Sequence, residues 1–298
     1  MALPFRNFFC RIKVTLASCA GLGLSLIAMA MPVSTQAAQP ILRIGLTPII
    51  AYDQVALTED LRKYFESKSG RRVEFVRRDS YRQVIDLLAQ DQLDLAWVSV
   101  YPYVYLQHHF HLRLLATPVY KGQPYFQAYL IVPAEDTVTT GLLQLRGKIF
   151  AYADLYSFTS YLLPRYELHQ AGKEAATFFA KTFFTKGHQR VVQAVASGLA
   201  DGGYVDGYIW DYLAASKPEL TSRTRVVAVS ARHGFPPLIA GRRLDDEDFV
   251  LIRRILLGMS SDPEGAGLLK RMSLDGFVAG DPKWYAEAAR MMKVMGDI

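Results

Sequence analysis

Leu42, Ile44 and Leu46 alternate with Arg43 and Gly45, a period of two that predicts a strand with one buried face, ended by Thr47-Pro48. The period then changes: Val55, Leu61, Tyr64 and Phe65 fall at roughly helical spacing, and Gly70 supplies the stop. Residues 73–76 predict a second strand. Ser80 and Gln83 have the spacing of a capping box, which opens a helix whose apolar face is Val84, Ile85 and Leu88. Residues 94–98 then read as a buried strand.

Strand, helix, strand, helix, strand predicts parallel βαβ units with helices on both faces of a sheet. The pattern restarts with a strand over 147–152, a helix over 157–171 before Gly172, and a helix marked by Val191, Val192 and Val195 that ends near Gly198. A short strand at Tyr204-Val205 and a helix carrying Ile209, Tyr212 and Leu213 follow. Between the two sets lies an extended aromatic stretch, 125–132; a matching stretch, 225–230, precedes His233-Gly234-Phe235-Pro236-Pro237. Both are expected to be crossings between lobes. The last third is helical, with Asp262-Pro263 and Asp281-Pro282 each placing Asp at a cap and Pro at the first helical position. The expected division is lobe I from 38–130 and 232–298 and lobe II from 131–231. Two α/β lobes with two crossings make a hinged clamp, whose ligand site lies where strand ends and helix N-termini converge.

The first forty residues change the picture of where this clamp works. Arg6, Arg11 and Lys13 precede an apolar run from Val14 to Val33, followed by Ser34-Thr35-Gln36-Ala37-Ala38. That order predicts a secretory signal over 1–37, cleaved after Ala37, and hence a periplasmic protein. The rival reading is a retained anchor, since the run approaches the roughly 20 residues that span a bilayer. Leu16-Ala17-Ser18-Cys19 also matches a lipoprotein box, but the apolar run continues well past Cys19, where a polar tether is expected. Both cysteines, Cys10 and Cys19, fall in the leader, so thiol chemistry is excluded from the remainder. The leader holds three of the 34 basic residues, leaving 31 against 28 acidic ones, or +3, with both signs interspersed. No clustered basic face points to nucleic acid.

Three hydroxyls, Ser157, Thr159 and Ser160, stand at a predicted helix start, where unpaired backbone N–H groups and the positive end of the dipole favour an oxyanion. Capping accounts for one of them. His188 opens another helix and can present an imidazole donor to the same cleft. His108-His109-Phe110-His111 lacks partners at metal-ligand spacing, so no metal is expected. The acids at 245–248 open a helix and suit its dipole. No phosphate-binding loop, hydrolase elbow or zinc-protease motif is present, and neither an enzyme nor a cofactor is expected.

In order and spacing these segments resemble the periplasmic phosphonate-, phosphite- and phosphate-binding proteins of ABC transporters. The resemblance runs through Arg72–Val76 leading to Tyr81, Asp94-Leu95-Ala96-Trp97 with Tyr103-Val104, and Tyr125-Phe126. It continues through Asp154–Arg165, Phe184-Thr185-Lys186-Gly187-His188, Ala194–Asp206, Asp262–Gly265 and Gly276-Phe277-Val278. It implies a bilobal type II binding-protein fold that captures a small phosphorus oxyanion for an inner-membrane permease. Ser157 and Thr159 would bind phosphoryl oxygens, His188 and Tyr81 would donate further hydrogen bonds, Tyr125 would close over the ligand, and Asp206 would orient His188 or take a proton. Phe158 and Ser160 depart from the family's threonine and glycine, which narrows or reshapes the pocket. Tyr208 and Pro236 stand where amine-binding members place acids, so an ammonium would be poorly paired. The same clamp suits a sensor that reports to a membrane kinase, or a receptor for another organic anion such as a sulfonate. A monomer is expected.

Overall fold

The computed structural model describes residues 41–47 and 55–298, so the expected leader, its cleavage point, Cys10 and Cys19 lie outside the described residues. In the first lobe β1 (Leu42–Leu46), α1 (Val55–Ser69), β2 (Val73–Arg77), α2 (Tyr81–Ala89), β3 (Leu95–Trp97), α3 (Val100–Phe110) and β4 (Arg113–Val119) alternate. The chain crosses through β5 (Tyr125–Phe126) to β6 (Ala128–Pro133), β7 (Ile149–Tyr152), α4 (Leu163–Gln170), α5 (Ala175–Phe178), β8 (Lys181–Phe184), α6 (His188–Ala196), β9 (Gly202–Asp206), α7 (Gly207–Ser216), α8 (Pro218–Thr221) and β10 (Thr224–Val229). It returns through β11 (His233–Gly234) to β12 (Leu238–Ala240), α9 (Asp246–Gly258), α10 (Pro263–Arg271), β13 (Gly276–Val278) and α11 (Ala286–Val294).

The first lobe is built on a six-stranded sheet ordered β13-β4-β12-β3-β1-β2, the second on a five-stranded sheet ordered β10-β6-β9-β7-β8. The expected parallel units are present as β2-β1-β3 and β8-β7-β9. β12 and β6 lie antiparallel to their neighbours because each enters its sheet from the crossing and runs away from the cleft. The carboxyl ends of β7, β8 and β9 therefore face the cleft, and the helical segments that follow them begin there.

Local signals hold these elements in place. Ser80 caps α2 by accepting the Gln83 N–H at 3.4 Å, while the Gln83 side chain returns to the Asp79 N–H at 3.2 Å, one residue earlier than a standard capping box. Val84, Ile85 and Leu88 are fully buried against the first sheet. Asp245 and Asp262 accept the N–H of Asp248 and Gly265 and so cap α9 and α10.

Two expectations need correction. The stretches 125–132 and 225–230 are for most of their length β6 and β10, paired antiparallel within the second sheet. The crossing itself is the short ladder of β5 with β11, extended where the Ala128 N–H donates to Ser230 Oγ and the Ser230 N–H donates to the Ala128 carbonyl, both at 2.9 Å. Extended backbone has one pattern whether it pairs inside a sheet or joins two sheets. The predicted helix over 157–171 is also not uniform: Phe158–Leu162 form a π-helical turn, in which the Leu163 N–H donates to the Phe158 carbonyl, before regular α4.

Candidate functional site

The π-helical turn follows β7 at the cleft, and such turns often mark functional positions. Ser157 is fully buried and its Oγ accepts the Ser160 N–H at 3.1 Å, which caps the turn. Ser160 Oγ in turn accepts the Ala153 N–H at 2.7 Å, pinning the turn to the end of β7. Local bonding thus engages two of the three hydroxyls as acceptors, where capping alone accounts for one. Each hydroxyl keeps a proton to donate. Thr159 is buried beside them.

His188 opens α6 and is buried. Its Nδ1 accepts the backbone N–H of Asp206, at the end of β9, at 3.2 Å. With Nδ1 as acceptor, the neutral ring carries its proton on Nε2. Burial holds the imidazole neutral by lowering its pKa to about 3. Asp206 orients the ring through its main chain, not its carboxylate. The carboxylate caps α7 by accepting the Tyr208 N–H at 3.0 Å. Burial raises its pKa to about 7, against the lowering effect of the Tyr208 and Ile209 N–H groups. Gly207 fits here because a side chain would collide with the Gln127 carbonyl, 2.7 Å from a built Cβ, and with the Tyr129 ring.

Tyr81 begins α2 and is fully buried. Its N–H approaches the Asp154 carboxylate at 3.4 Å, so an acid of the second lobe sits at a helix start of the first. Asp154 also accepts the Tyr156 N–H at 2.8 Å, and burial pushes its pKa up against both bonds. Further contacts span the lobes. Arg82 donates to Tyr156 Oη at 2.9 Å, Tyr101 meets the Tyr156 ring edge-on at 5.6 Å, and Arg165 pairs with Asp297 at 3.3 Å. Tyr208 Oη donates to the Met272 carbonyl at 2.6 Å.

Phe158, which replaces the resembled family's threonine, is fully buried between Phe126, with centroids 6.4 Å apart, and His233, at 4.7 Å. The cleft is therefore apolar on this side. His233 is buried, its Nε2 has no hydrogen-bond partner among the described residues, and burial lowers its pKa to about 4 despite the charge of Glu287. Tyr125 leans on Trp284, with centroids 5.9 Å apart, and lines a cavity of about 120 Å³ with Phe126, Gly207, Tyr208 and Arg232. Among the described residues no Lys or Arg is buried. An oxyanion in the cleft would be held by hydroxyls, backbone N–H groups and imidazole.

The structure thus brings Ser157, Phe158, Thr159 and Ser160 into one turn and joins His188 directly to Asp206, while Tyr81 meets that turn's leading residue, Asp154. Sequence reasoning missed the contact of Asp154 with α2, the bond from Tyr208 to Met272 and the buried His233. The first two depend on lobe closure, which no local pattern encodes. The motif His233-Gly234-Phe235 was visible only as a segment next to a crossing. His108 and His109 lie edge-on at 4.8 Å on the last turn of α3, with His109 against Tyr105. Among the described residues no group of three His, Cys, Asp or Glu is placed to hold a metal, and no helix is long and apolar enough to cross a membrane.

Residues 44–285 match the family described as ABC transporter, phosphonate, periplasmic substrate-binding protein. The phosphate-import protein PhnD of Mycolicibacterium smegmatis is 28% identical over 177 residues, 56% of this chain; the match spans about half of that relative, 55% of its length. PhnD1 from Prochlorococcus marinus, solved in complex with methylphosphonate, superposes with a TM-score of 0.79 at 18% identity, covering 87% of this chain and 99% of that one. A binding-protein component of an ABC phosphonate transporter from Pseudomonas aeruginosa gives 0.78 at 20% identity over 85% of each chain.

Proposed function

Because the chain belongs to the phosphonate-type periplasmic substrate-binding proteins of ABC transporters, we propose that it closes its two lobes around one small phosphorus oxyanion: phosphite, phosphate or a short alkylphosphonate. The family is one of receptors, not enzymes. The observation that carries the ligand class is the buried set of neutral donors at the cleft: the capped turn 157–160 and the Nε2–H of His188. Hydrogen bonds from such donors to a charged acceptor contribute about 1.5–3 kcal/mol each. Tyr81 and Tyr125 approach from the first lobe and the crossing, and His233 adds a nitrogen whose hydrogen bond a ligand would complete.

The size and polarity of the cleft favour ligands without an amine. Phe158 fills space with carbon, Tyr208 spends its hydroxyl on Met272, and the Pro236 carbonyl is taken by Trp97 Nε1 at 2.9 Å. Delivery to an inner-membrane permease by a monomer, after export and removal of residues 1–37, completes the reading. A thermal-shift screen of the processed protein against phosphite, phosphate, methylphosphonate and sulfate tests it. A ligand at a hundredfold excess over Kd stabilises by about 2.7 kcal/mol. Stabilisation by sulfate alone would reject the phosphorus assignment.

A further inference from the structure

A second concavity, of about 350 Å³, runs from Tyr161 in the π-helical turn along α4 to residues 173–176 beyond its end, and its volume is near the lower end of the roughly 300–1,000 Å³ common for small-molecule sites. Its floor is aromatic. Tyr152, at the end of β7, meets Tyr161 edge-on at 5.2 Å and lies at 31° to Phe184 with centroids 5.5 Å apart. Phe184 closes β8, the edge strand of the second sheet, and remains 47% exposed. Phe184 thus lies partly exposed in a concave, ring-lined site, where a planar ligand can stack.

The rim is basic. Arg165 and His169, one turn apart on α4, and Lys173, just past its end, line the cavity, with Glu174 the acid among the lining groups. Arg165 is held over the Tyr161 ring at 4.7 Å and pairs with Asp297, which leaves Lys173 as the exposed cation. A cation at the end of a helix stabilises its dipole, which is reason enough for Lys173 to lie there. The dipole gives no reason for three rings beneath the rim. Met295, from the first lobe, supplies one apolar wall.

We propose that this cavity is a second binding site, separate from the oxyanion cleft, for a small planar aromatic carboxylate, its ring stacked on Phe184 and its anion facing Lys173 and His169. Ser157, Thr159 and His188 do not line it, although Tyr161 shares the π-helical turn and its N–H donates to the Ser157 carbonyl at 3.2 Å, so binding here is measured separately from binding of the phosphorus ligand.

Benzoate is the probe, chosen because it carries no phosphorus. Saturation-transfer NMR and titration of the processed protein should show benzoate binding that persists with excess methylphosphonate and in Thr159→Val. Phe184→Ala and Lys173→Ala should each weaken it, by roughly fivefold or more for the loss of stacking or of the cation. Lys173 is exposed, so Lys173→Ala should melt with the wild type; Phe184→Ala gives up ring contacts with Tyr152 and Tyr161 and should melt lower, and both variants should bind methylphosphonate as the wild type does. Cyclohexanecarboxylate, which has the charge without the ring, should bind more weakly. No detectable benzoate binding at millimolar concentration, its displacement by methylphosphonate, or unchanged affinity in Phe184→Ala would each overturn the proposal.

Discussion

His188 Nδ1 accepts the backbone N–H of Asp206 at 3.2 Å, so two buried titratable residues meet through one main-chain bond. Both are held neutral near pH 6 by the same cause, acting in opposite directions on their pKa values. Burial penalises the imidazolium and the carboxylate alike, lowering the pKa of His188 and raising that of Asp206.

Stability should follow from this with a defined sign. The Asp206 contribution is fully present below its ordinary pKa of 3.8 and is lost as pH rises through about 7. The His188 contribution is present above 6.5 and is lost as pH falls through about 3. Between these limits the two slopes oppose each other. Asp206→Asn should therefore gain in Tm relative to wild type between pH 5 and pH 8. A Tm difference that stays constant over that interval would show that Asp206 is not held protonated by burial.

At the capped turn, Ser157 has two roles and Thr159 one. Ser157→Ala removes a cap as well as a donor and should lower stability by about 0.5–2 kcal/mol, whereas Thr159→Val keeps the shape of the side chain. Thr159→Val should weaken phosphorus-oxyanion binding roughly tenfold or more, and the double change Ser157→Ala with Thr159→Ala should abolish it while the protein still folds. Normal binding by the double variant, measured calorimetrically with its circular dichroism unchanged, would place the ligand elsewhere.

The hydrogen bond from Tyr208 to the Met272 carbonyl joins the second lobe to the first. Tyr208→Phe should leave each lobe's packing intact and weaken ligand binding by roughly five- to tenfold, the worth of one buried hydrogen bond. Small-angle scattering of the variant should show a larger mean radius at subsaturating ligand than wild type does. Equal affinity and equal radius would mean that this bond does not help closure.

His233 presents the opposite case, a buried nitrogen with no hydrogen-bond partner among the described residues. His233→Phe keeps the ring against Phe158 and removes the unsatisfied atom, so the unliganded protein should be at least as stable as wild type. Ligand affinity should fall several-fold if Nε2 serves the oxyanion. A variant both less stable and equally tight in binding would assign His233 to packing.

Much of this architecture is legible in the chain because each element announces itself locally. The strand at 42–46, the Ser80 cap and the buried face of α2 agree with the structure, whereas Gly45, expected on the face opposite Leu42, Ile44 and Leu46, is buried beside Leu93 and Ala96. The cluster at 157–160 is legible as a helix start rich in hydroxyls, but its π-helical turn is not, since one additional residue per turn leaves no signature in hydrophobic spacing. That Asp206 meets His188 through its main-chain N–H could not be read from the sequence, which displays carboxylates and hides N–H groups. Contacts made by closure, such as Asp154 with the Tyr81 N–H, join residues 73 positions apart and follow no period.

Isothermal titration of the processed protein with methylphosphonate and aminoethylphosphonate, at one pH, tests the account most directly. The two ligands share a phosphonate and differ by an ammonium. Transferring an unpaired ammonium into the cleft costs several kcal/mol, on the order of what one or two good hydrogen bonds return. The account predicts that methylphosphonate binds and aminoethylphosphonate binds at least tenfold more weakly. Tighter binding of aminoethylphosphonate would contradict it and would show that Asp206 or Asp154 meets the amine.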